Sequence, residues 1–162
     1  MKRVGKDNYY LDIAETVLSR GTCLRRNYGA IIVKNDEIIS TGYTGSPRGR
    51  KNCIDINFCI RDELNIARGT MYEVCRSVHA EANCIISAAR KDMIDSTLYL
   101  VGRDVSTGQY VENANSCTMC KRMIINAGIE RLVIRDSKEE YRLVVVEDWI
   151  KNDDSLSSEF GY

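Results

Sequence analysis

The sequence lacks the features of a membrane-spanning protein, of a secreted protein and of a protein that binds the phosphate backbone of nucleic acid. No run of about 18 apolar residues occurs, so no transmembrane helix is expected. The N-terminal segment 1–15 is charged and lacks the apolar core of a signal peptide, which predicts a cytoplasmic location. Lys+Arg and Asp+Glu both number 23, whereas proteins that bind the phosphate backbone usually carry a basic excess. This balance disfavours nucleic acid as the main partner.

Proline and histidine are scarce, with one of each, whereas seven cysteines occur. Cytosolic thiols stay reduced, so a disulfide framework is not expected. The cysteines are instead candidate metal ligands, catalytic groups or small buried residues. The 162 residues, 44% of them hydrophobic, fit one domain with its own core. We predict that this domain covers 1–151 and that 152–162 is a polar tail.

The hydrophobic pattern alternates between helical and strand periods. Helices are predicted at 7–20, 79–90 and 117–127, and strands at 29–34, 37–41, 97–101, 131–135 and 143–146. The segment 97–135 is a β-α-β unit, which implies two parallel strands. The segment 51–78 is a cysteine-bearing insert without a clean period, and 102–116 is either a loop or a protruding hairpin. The sum predicts an α/β fold, with three α/β/α layers and a mixed central sheet of about four or five strands.

Two predicted helix starts carry the residues that indicate chemistry. His79 opens one helix two residues before Glu81, and Cys117 and Cys120 open another. Cysteines three apart share a helical face, and a helix N-terminus favours the thiolate. One imidazole and two thiolates are the three protein ligands of a catalytic zinc, whose fourth position stays open for water. Glu81 is the predicted proton shuttle, because the zinc deaminases combine H-x-E with C-x-x-C and do not use the glutamate as a ligand.

Each motif alone has a simpler interpretation. A single C-x-x-C is often part of a structural zinc site or a redox pair, and a single histidine at a helix start is usually a surface or cap residue. Their occurrence at two helix starts that flank a strand favours the catalytic interpretation.

Five stretches resemble the deoxycytidylate deaminase branch of the cytidine deaminase superfamily. They are 23–26, 29–33, 42–47, 75–81 and 117–128. The resemblance implies a cytidine-deaminase-like fold and hydrolytic deamination of a cytosine nucleotide, dCMP to dUMP plus ammonia. The chain departs from the family pattern twice. Ser116 stands where the family has proline, and Thr44 stands where it usually has an asparagine that helps hold the nucleoside.

A nucleotide substrate requires cations, because a monophosphate carries about two negative charges. Four arginines flank the site in the resemblance, namely Arg25, Arg26, Arg48 and Arg50. Solvated surface charge is the alternative interpretation for each of them. The other residues predicted to bind substrate are Thr44, Ala80 and Ser116.

The remaining cysteines predict a second, structural zinc. Cys84 lies on the buried side of the His79 helix and is expected to be a small core residue. Four cysteines then remain: Cys23, Cys53, Cys59 and Cys75. Four thiolates make a closed tetrahedral site that could staple the insert, and the family resemblance agrees. Scattered buried cysteines are the alternative.

The resemblance also implies partners. Family members often respond to dCTP and dTTP as effectors and assemble as homo-oligomers, commonly hexamers. Three other functions stay open at this point: a deaminase of another nucleoside or base, a non-catalytic zinc scaffold or effector-binding module, and a nucleic-acid editor. Glu81 argues against the scaffold, and zero net charge argues against the editor.

Overall fold

A five-stranded mixed sheet organises the computed structural model, which describes residues 2–153. The strands are β1 (Arg26–Lys34), β2 (Glu37–Tyr43), β3 (Thr97–Asp104), β4 (Arg131–Arg135) and β5 (Tyr141–Val145). Their spatial order is β2-β1-β3-β4-β5. β3 and β4 are parallel and the other neighbouring pairs are antiparallel. The predicted mixed sheet and its parallel β-α-β unit are confirmed.

Seven α-helices connect or cover these strands within the described residues. They are α1 (Lys6–Leu18), α2 (Cys53–Ile56), α3 (Ile60–Glu63), α4 (Ala80–Ile86), α5 (Arg90–Met93), α6 (Thr118–Ala127) and α7 (Val146–Lys151). The prediction of one helix over 79–90 is wrong. The helix ends at Ile86, whose side chain is 69% exposed, and Ala89 is extended before α5 begins. The apolar face of α4 therefore stops contributing to the core before the predicted end.

The two faces of the sheet are covered by different helices. Alternate residues of a strand point to opposite faces. On one face, Tyr10, Leu11 and Ala14 of α1 pack with a cluster that includes Ile31 and Val101. On the other face, residues of α4 and α6 pack in a separate cluster, which includes Ile32, Leu98, Leu100, Leu132 and Ile134. The three-layer α/β/α prediction is confirmed.

Both helix layers approach the sheet closely at a glycine. A Cβ atom at Gly29 would lie 2.1 Å from the Ala14 carbonyl oxygen of α1. A Cβ atom at Gly42 would lie 2.3 Å from the Ala80 carbonyl oxygen of α4. These contacts leave no room for a side chain, so the two glycines set the distance between the sheet and each helix.

The two segments without a clear period differ in structure. The insert 51–78 contains only α2, α3 and a 3₁₀ turn at Tyr72–Val74. The segment 102–116 begins as a hairpin, because β3 continues to Asp104 and Arg103 pairs with Tyr110 in an antiparallel bridge, and it continues as a loop over 112–116. The sequence left a loop or a hairpin open for 102–116, and the structure has a hairpin in the first part and a loop in the second.

None of the helices in the described part of the chain has the length and apolar character needed to cross a membrane. Of the predicted polar tail 152–162, residues 154–162 lie outside the described residues. The limits of the single domain stay a prediction.

Candidate active site

The predicted metal ligands meet at the adjacent starts of α4 and α6. His79 is the N-cap residue of α4 and Cys117 is the N-cap residue of α6. The two helices contact each other on the same face of the sheet. The strand β3 leads into the hairpin and then into α6, so the β-α-β unit brings Cys117 and Cys120 next to His79.

The donor atoms have the spacing of a tetrahedral zinc site. His79 Nδ1 lies 3.5 Å from Cys117 Sγ and 3.5 Å from Cys120 Sγ. Tetrahedral geometry with Zn–N of about 2.0–2.1 Å and Zn–S of about 2.3 Å places nitrogen and sulfur about 3.5 Å apart. Within residues 2–153 this is the single group of three or more histidine, cysteine or carboxylate side chains whose donor atoms all lie within 4.8 Å of one another. The residues therefore fit zinc.

The electrostatics of the two thiols favour a ligand. A hydrogen bond shared with Cys120 lowers the pKa of Cys117 to about 4, although burial acts in the opposite direction. The same hydrogen bond raises the pKa of Cys120. The backbone N–H of Cys120 also donates to Cys117 Sγ at 3.4 Å. The lowered pKa of Cys117 favours its thiolate form, and a bound cation would favour the thiolate of both residues.

Glu81 lies in the first turn of α4 and is 4% exposed. Burial raises the pKa of Glu81, and the nearby His79 partly offsets that effect. The Ser116 hydroxyl donates to Glu81 Oε1 at 2.9 Å. A buried carboxyl group beside a metal site is the arrangement required of a general acid and base.

A cavity of about 240 Å³ opens onto these residues. His79, Glu81 and Cys117 form its catalytic side. The insert wall comprises Arg61, Arg68, Gly69, Tyr72, Cys75 and Ser77. The hairpin contributes Asn113 and Asn115, and the β1 region contributes Cys23, Arg25, Arg26, Tyr28 and Thr44. Four arginines thus face one carboxylate, which makes the cavity suited to an anionic ligand.

The predicted substrate-binding residues are only partly brought together. Arg25, Arg26 and Thr44 line the cavity. Thr44 Oγ1 accepts a hydrogen bond from the Tyr28 backbone N–H at 3.0 Å, so its hydroxyl proton is left to donate to another group. The Ala80 and Ser116 side chains are buried and do not line the cavity.

Arg48 and Arg50, two of the four arginines predicted to flank the site, do not line the cavity. Both are exposed and lie outside the cavity lining. The chain turns after Pro47, whose carbonyl oxygen accepts from the Arg50 N–H at 3.0 Å, and Gly49 has a φ of 86°. This turn leaves both arginine side chains in solvent.

The sequence did not predict the cavity residues of the insert wall. Arg61 is only 5% exposed and donates to the carbonyl oxygens of Met71 at 3.0 Å and Ala67 at 2.8 Å. Its guanidinium lies 4.6 Å from the centre of the Tyr72 ring, and Tyr72 contacts the His79 ring edge-on at 4.6 Å. No local signal marks these residues, because the segment has no hydrophobic period.

The four cysteines predicted to bind a second zinc have different positions. Cys23 and Cys75 line the cavity, and Cys75 lies within electrostatic range of Cys23 and Cys53. Cys59 is the N-cap residue of α3. In the described residues no three of these sulfur atoms all lie within 4.8 Å of one another. Cys84 is fully buried, which confirms it as a core residue.

Comparison with known proteins gives a family match and several relatives. The model of the cytidine and deoxycytidylate deaminase zinc-binding region matches residues 4–135. The deoxycytidylate deaminase of Mycobacterium phage D29 is 33% identical over 138 residues, which cover 82% of this chain and 96% of the relative. The deoxycytidylate deaminase of Saccharomyces cerevisiae is 30% identical over 139 residues, which cover 85% of this chain but 39% of the relative.

Solved structures share the fold. The dCMP deaminase of cyanophage S-TIM5, in complex with dCMP and dUMP, is similar with a TM-score of 0.56 and 22% identity, covering 83% of this chain and 84% of that chain. The cytidine deaminase of Burkholderia pseudomallei has a TM-score of 0.54 and 14% identity, covering 85% of this chain and 91% of that chain. At these identities the likeness supports the three-layer fold.

Proposed function

The chain belongs to the cytidine and deoxycytidylate deaminase family, and from this premise we propose that it is a zinc-dependent enzyme that hydrolyses dCMP to dUMP and ammonia. One observation carries the proposal. His79, Cys117 and Cys120 have the spacing of a zinc site, and buried Glu81 lies with them on a cavity lined by four arginines.

His79, Cys117 and Cys120 would hold the zinc, which when bound lowers the pKa of water and stabilises developing negative charge. Glu81 takes a proton from the attacking water and delivers it to N3 of the cytosine ring. It then takes the remaining proton from the new hydroxyl group on C4 and gives it to the departing amine, so that water and the cytosine nucleotide become the uracil nucleotide and ammonia. Burial raises the pKa of Glu81, which brings the affinity of this carboxyl for a proton closer to what a two-way transfer near neutral pH requires.

The arginines of the cavity differ in how free they are to bind a phosphate. Arg25 pairs with Asp62 at 3.2 Å and Arg26 with Asp104 at 3.6 Å. Arg61 donates hydrogen bonds to two backbone carbonyl oxygens. Arg68 alone among them forms no hydrogen bond or ion pair with residues 2–153. We therefore infer that Arg68 is the main cation for the 5′-phosphate and that Arg25 and Arg26 assist it.

A second, structural zinc held by Cys23, Cys53, Cys59 and Cys75 belongs to the same proposal. Its support is the proximity of Cys75 to Cys23 and Cys53 and the shortage of regular structure in the insert. Four thiolates would give that segment the closed site that its sequence pattern calls for. Effector binding by dCTP or dTTP, homo-oligomeric assembly and a cytoplasmic location stay predictions.

Ammonia release from dCMP, CMP and deoxycytidine, measured side by side with the zinc-loaded protein, tests the activity. We expect dCMP to have the highest kcat/KM. Glu81→Gln should lose at least about 100-fold in kcat and keep its zinc, because it removes the general base without removing a ligand. Absence of ammonia from all three substrates, or a Glu81→Gln variant that keeps more than about a tenth of the rate, contradicts the proposal.

Arg68→Ala tests the phosphate contact in the same assay. Losing a hydrogen-bonded ion pair should lower kcat/KM for dCMP about ten-fold or more and leave deoxycytidine nearly unaffected. Arg48→Ala is the matched control, because Arg48 is exposed and outside the cavity. Equal losses for the two substrates would show that Arg68 does not bind the phosphate.

A further inference from the structure

We propose that Ser116 is a positioning residue for Glu81, held in place by the hairpin 102–116. The inference rests on the proposed function, in which Glu81 carries protons between water and substrate. The contact joins residues that are 35 positions apart in the chain, and both side chains are 4% exposed.

The geometry gives Ser116 a defined task. Its hydroxyl donates to Glu81 Oε1 at 2.9 Å, and no other side chain within residues 2–153 donates to that carboxylate. A hydroxyl group can donate to a carboxylate and accept from a carboxylic acid. Ser116 can therefore stay in contact with Glu81 before and after the proton moves, and so hold one rotamer of the side chain throughout the reaction.

The loop that carries Ser116 has one local hydrogen bond and one long-range contact that fixes it to β5. The Ser116 backbone N–H donates to Asn115 Oδ1 at 2.9 Å. Two residues earlier, the Ala114 carbonyl oxygen accepts from Arg142 Nη2 at 2.6 Å. Arg142 Nε in turn bonds both carboxylate oxygens of Asp136, at 2.8 and 2.9 Å. A chain of contacts thus runs from the β4–β5 turn to the general base.

The other end of the hairpin is anchored on α1. Glu15 accepts hydrogen bonds from the Arg103 guanidinium and from the Tyr110 hydroxyl. The Arg103 guanidinium also lies 4.0 Å from the centre of the Tyr110 ring. Contacts to α1 hold the two strands of the hairpin, and the contact to Arg142 holds the loop that follows. Ser116 is therefore a fixed donor.

Ser116 contributes two donor groups to this arrangement. Its hydroxyl donates to Glu81 and its backbone N–H donates to Asn115. A proline at this position would provide neither group, because it has no hydroxyl and no backbone N–H.

Steady-state kinetics on the zinc-loaded protein test the proposal. Ser116→Ala should lower kcat for dCMP about ten-fold and leave KM within about two-fold, because positioning of Glu81 acts on the chemical step. Ser116→Thr keeps the hydroxyl group and should retain most of the rate. Thr107→Ala removes an exposed hydroxyl from the same hairpin, where it accepts, among the described residues, only from the Gln109 backbone N–H, and is the matched control.

A double-mutant cycle separates positioning from a structural role. In the Glu81→Gln background, Ser116→Ala should cause little further loss, because residues that act as a unit are not additive. Zinc content and the melting curve should stay those of the parent protein.

Three outcomes would overturn the inference: an unchanged kcat in Ser116→Ala, the same ten-fold loss in both backgrounds, or loss of zinc from Ser116→Ala. If Glu81→Gln itself keeps its activity, the proposed function fails instead, so the two failures are distinguishable.

Discussion

The catalytic side of the cavity and its insert wall are built in opposite ways. The catalytic side lies at the starts of α4 and α6, which pack on the sheet over the buried core. His79 and Cys117 are the N-cap residues, and Glu81 and Cys120 lie in the first turns. The insert has two helices of four residues each and one 3₁₀ turn. The groups proposed to perform the chemistry lie at the starts of regular elements, whereas the residues of the insert wall lie on short helices and irregular chain.

The buried guanidinium of Arg61 connects the residues of the insert wall. Met71 has a φ of 49°, in the left-handed region that is uncommon for a long side chain. Arg61 bonds the Met71 carbonyl oxygen and contacts the Tyr72 ring. This part of the site thus depends on a few specific contacts, whereas the catalytic side depends on the whole core. Three groups of variants test this comparison.

The largest effect is expected from the metal ligands. Cys120→Ala should lose the catalytic zinc and at least about 100-fold in activity. Cys75→Ala should lose only the second zinc, leaving about one zinc per chain and a raised KM, because Cys75 is on the insert wall. Metal analysis and kinetics of both variants check this.

Cys84→Ala is the matched control, since Cys84 is a core residue outside both ligand sets. The wild-type protein should contain about two zinc per chain. A value near one would contradict the second site and leave the catalytic site untouched.

A smaller effect is expected from the two close-packed glycines. Gly42→Ala should push α4 away from the sheet and Gly29→Ala should push α1, each costing about 1–3 kcal/mol. Gly42→Ala should also lower zinc affinity and kcat, because α4 carries His79 and Glu81. Gly29→Ala should lower the melting temperature and leave the activity of the folded protein intact.

Gly5→Ala serves as the control, since a Cβ atom there meets nothing within 4 Å. Equal loss of zinc affinity in Gly42→Ala and Gly29→Ala would show that the site does not depend on α4 more than on α1.

The smallest effect concerns the anchor of the hairpin on α1. Burial acts to raise the pKa of Glu15, but hydrogen bonds from Arg103, Tyr110 and Arg135 outweigh it and lower the pKa. A carboxyl group whose pKa is lowered in the folded state stabilises the fold at pH values above its ordinary, unfolded-state pKa. This stabilisation is lost as the pH falls through the folded-state pKa. Glu15→Gln should therefore cost about 1 kcal/mol at pH 7 and progressively less below pH 4.5, the ordinary value for this group.

Denaturant unfolding at several pH values measures this difference. Glu37→Gln is the control, because Glu37 is exposed at the start of β2 and has no ion pair in the described residues. A cost for Glu15→Gln that is independent of pH would contradict the assignment of the stabilisation to the ionised carboxylate.

The sequence by itself determined the catalytic side of this protein. The H-x-E and C-x-x-C motifs are local patterns, and the β-α-β unit between Thr97 and Arg135 has few topological solutions. The metal-ligand set, Glu81 and the three-layer fold could therefore be predicted from local sequence patterns. The fully buried Cys84 followed from helical spacing for the same reason.

Tertiary structure alone decided the rest of the cavity. Arg61, Arg68 and Tyr72 lie in a segment without hydrophobic period, and only its folding against the site brings them to the cavity. Arg48 does not line the cavity, because it lies in an exposed turn after Pro47. The Ser116–Glu81 hydrogen bond joins two helix starts through space. Hydrogen bonds between residues far apart in sequence depend on how whole elements dock, and no local pattern of residues encodes that docking.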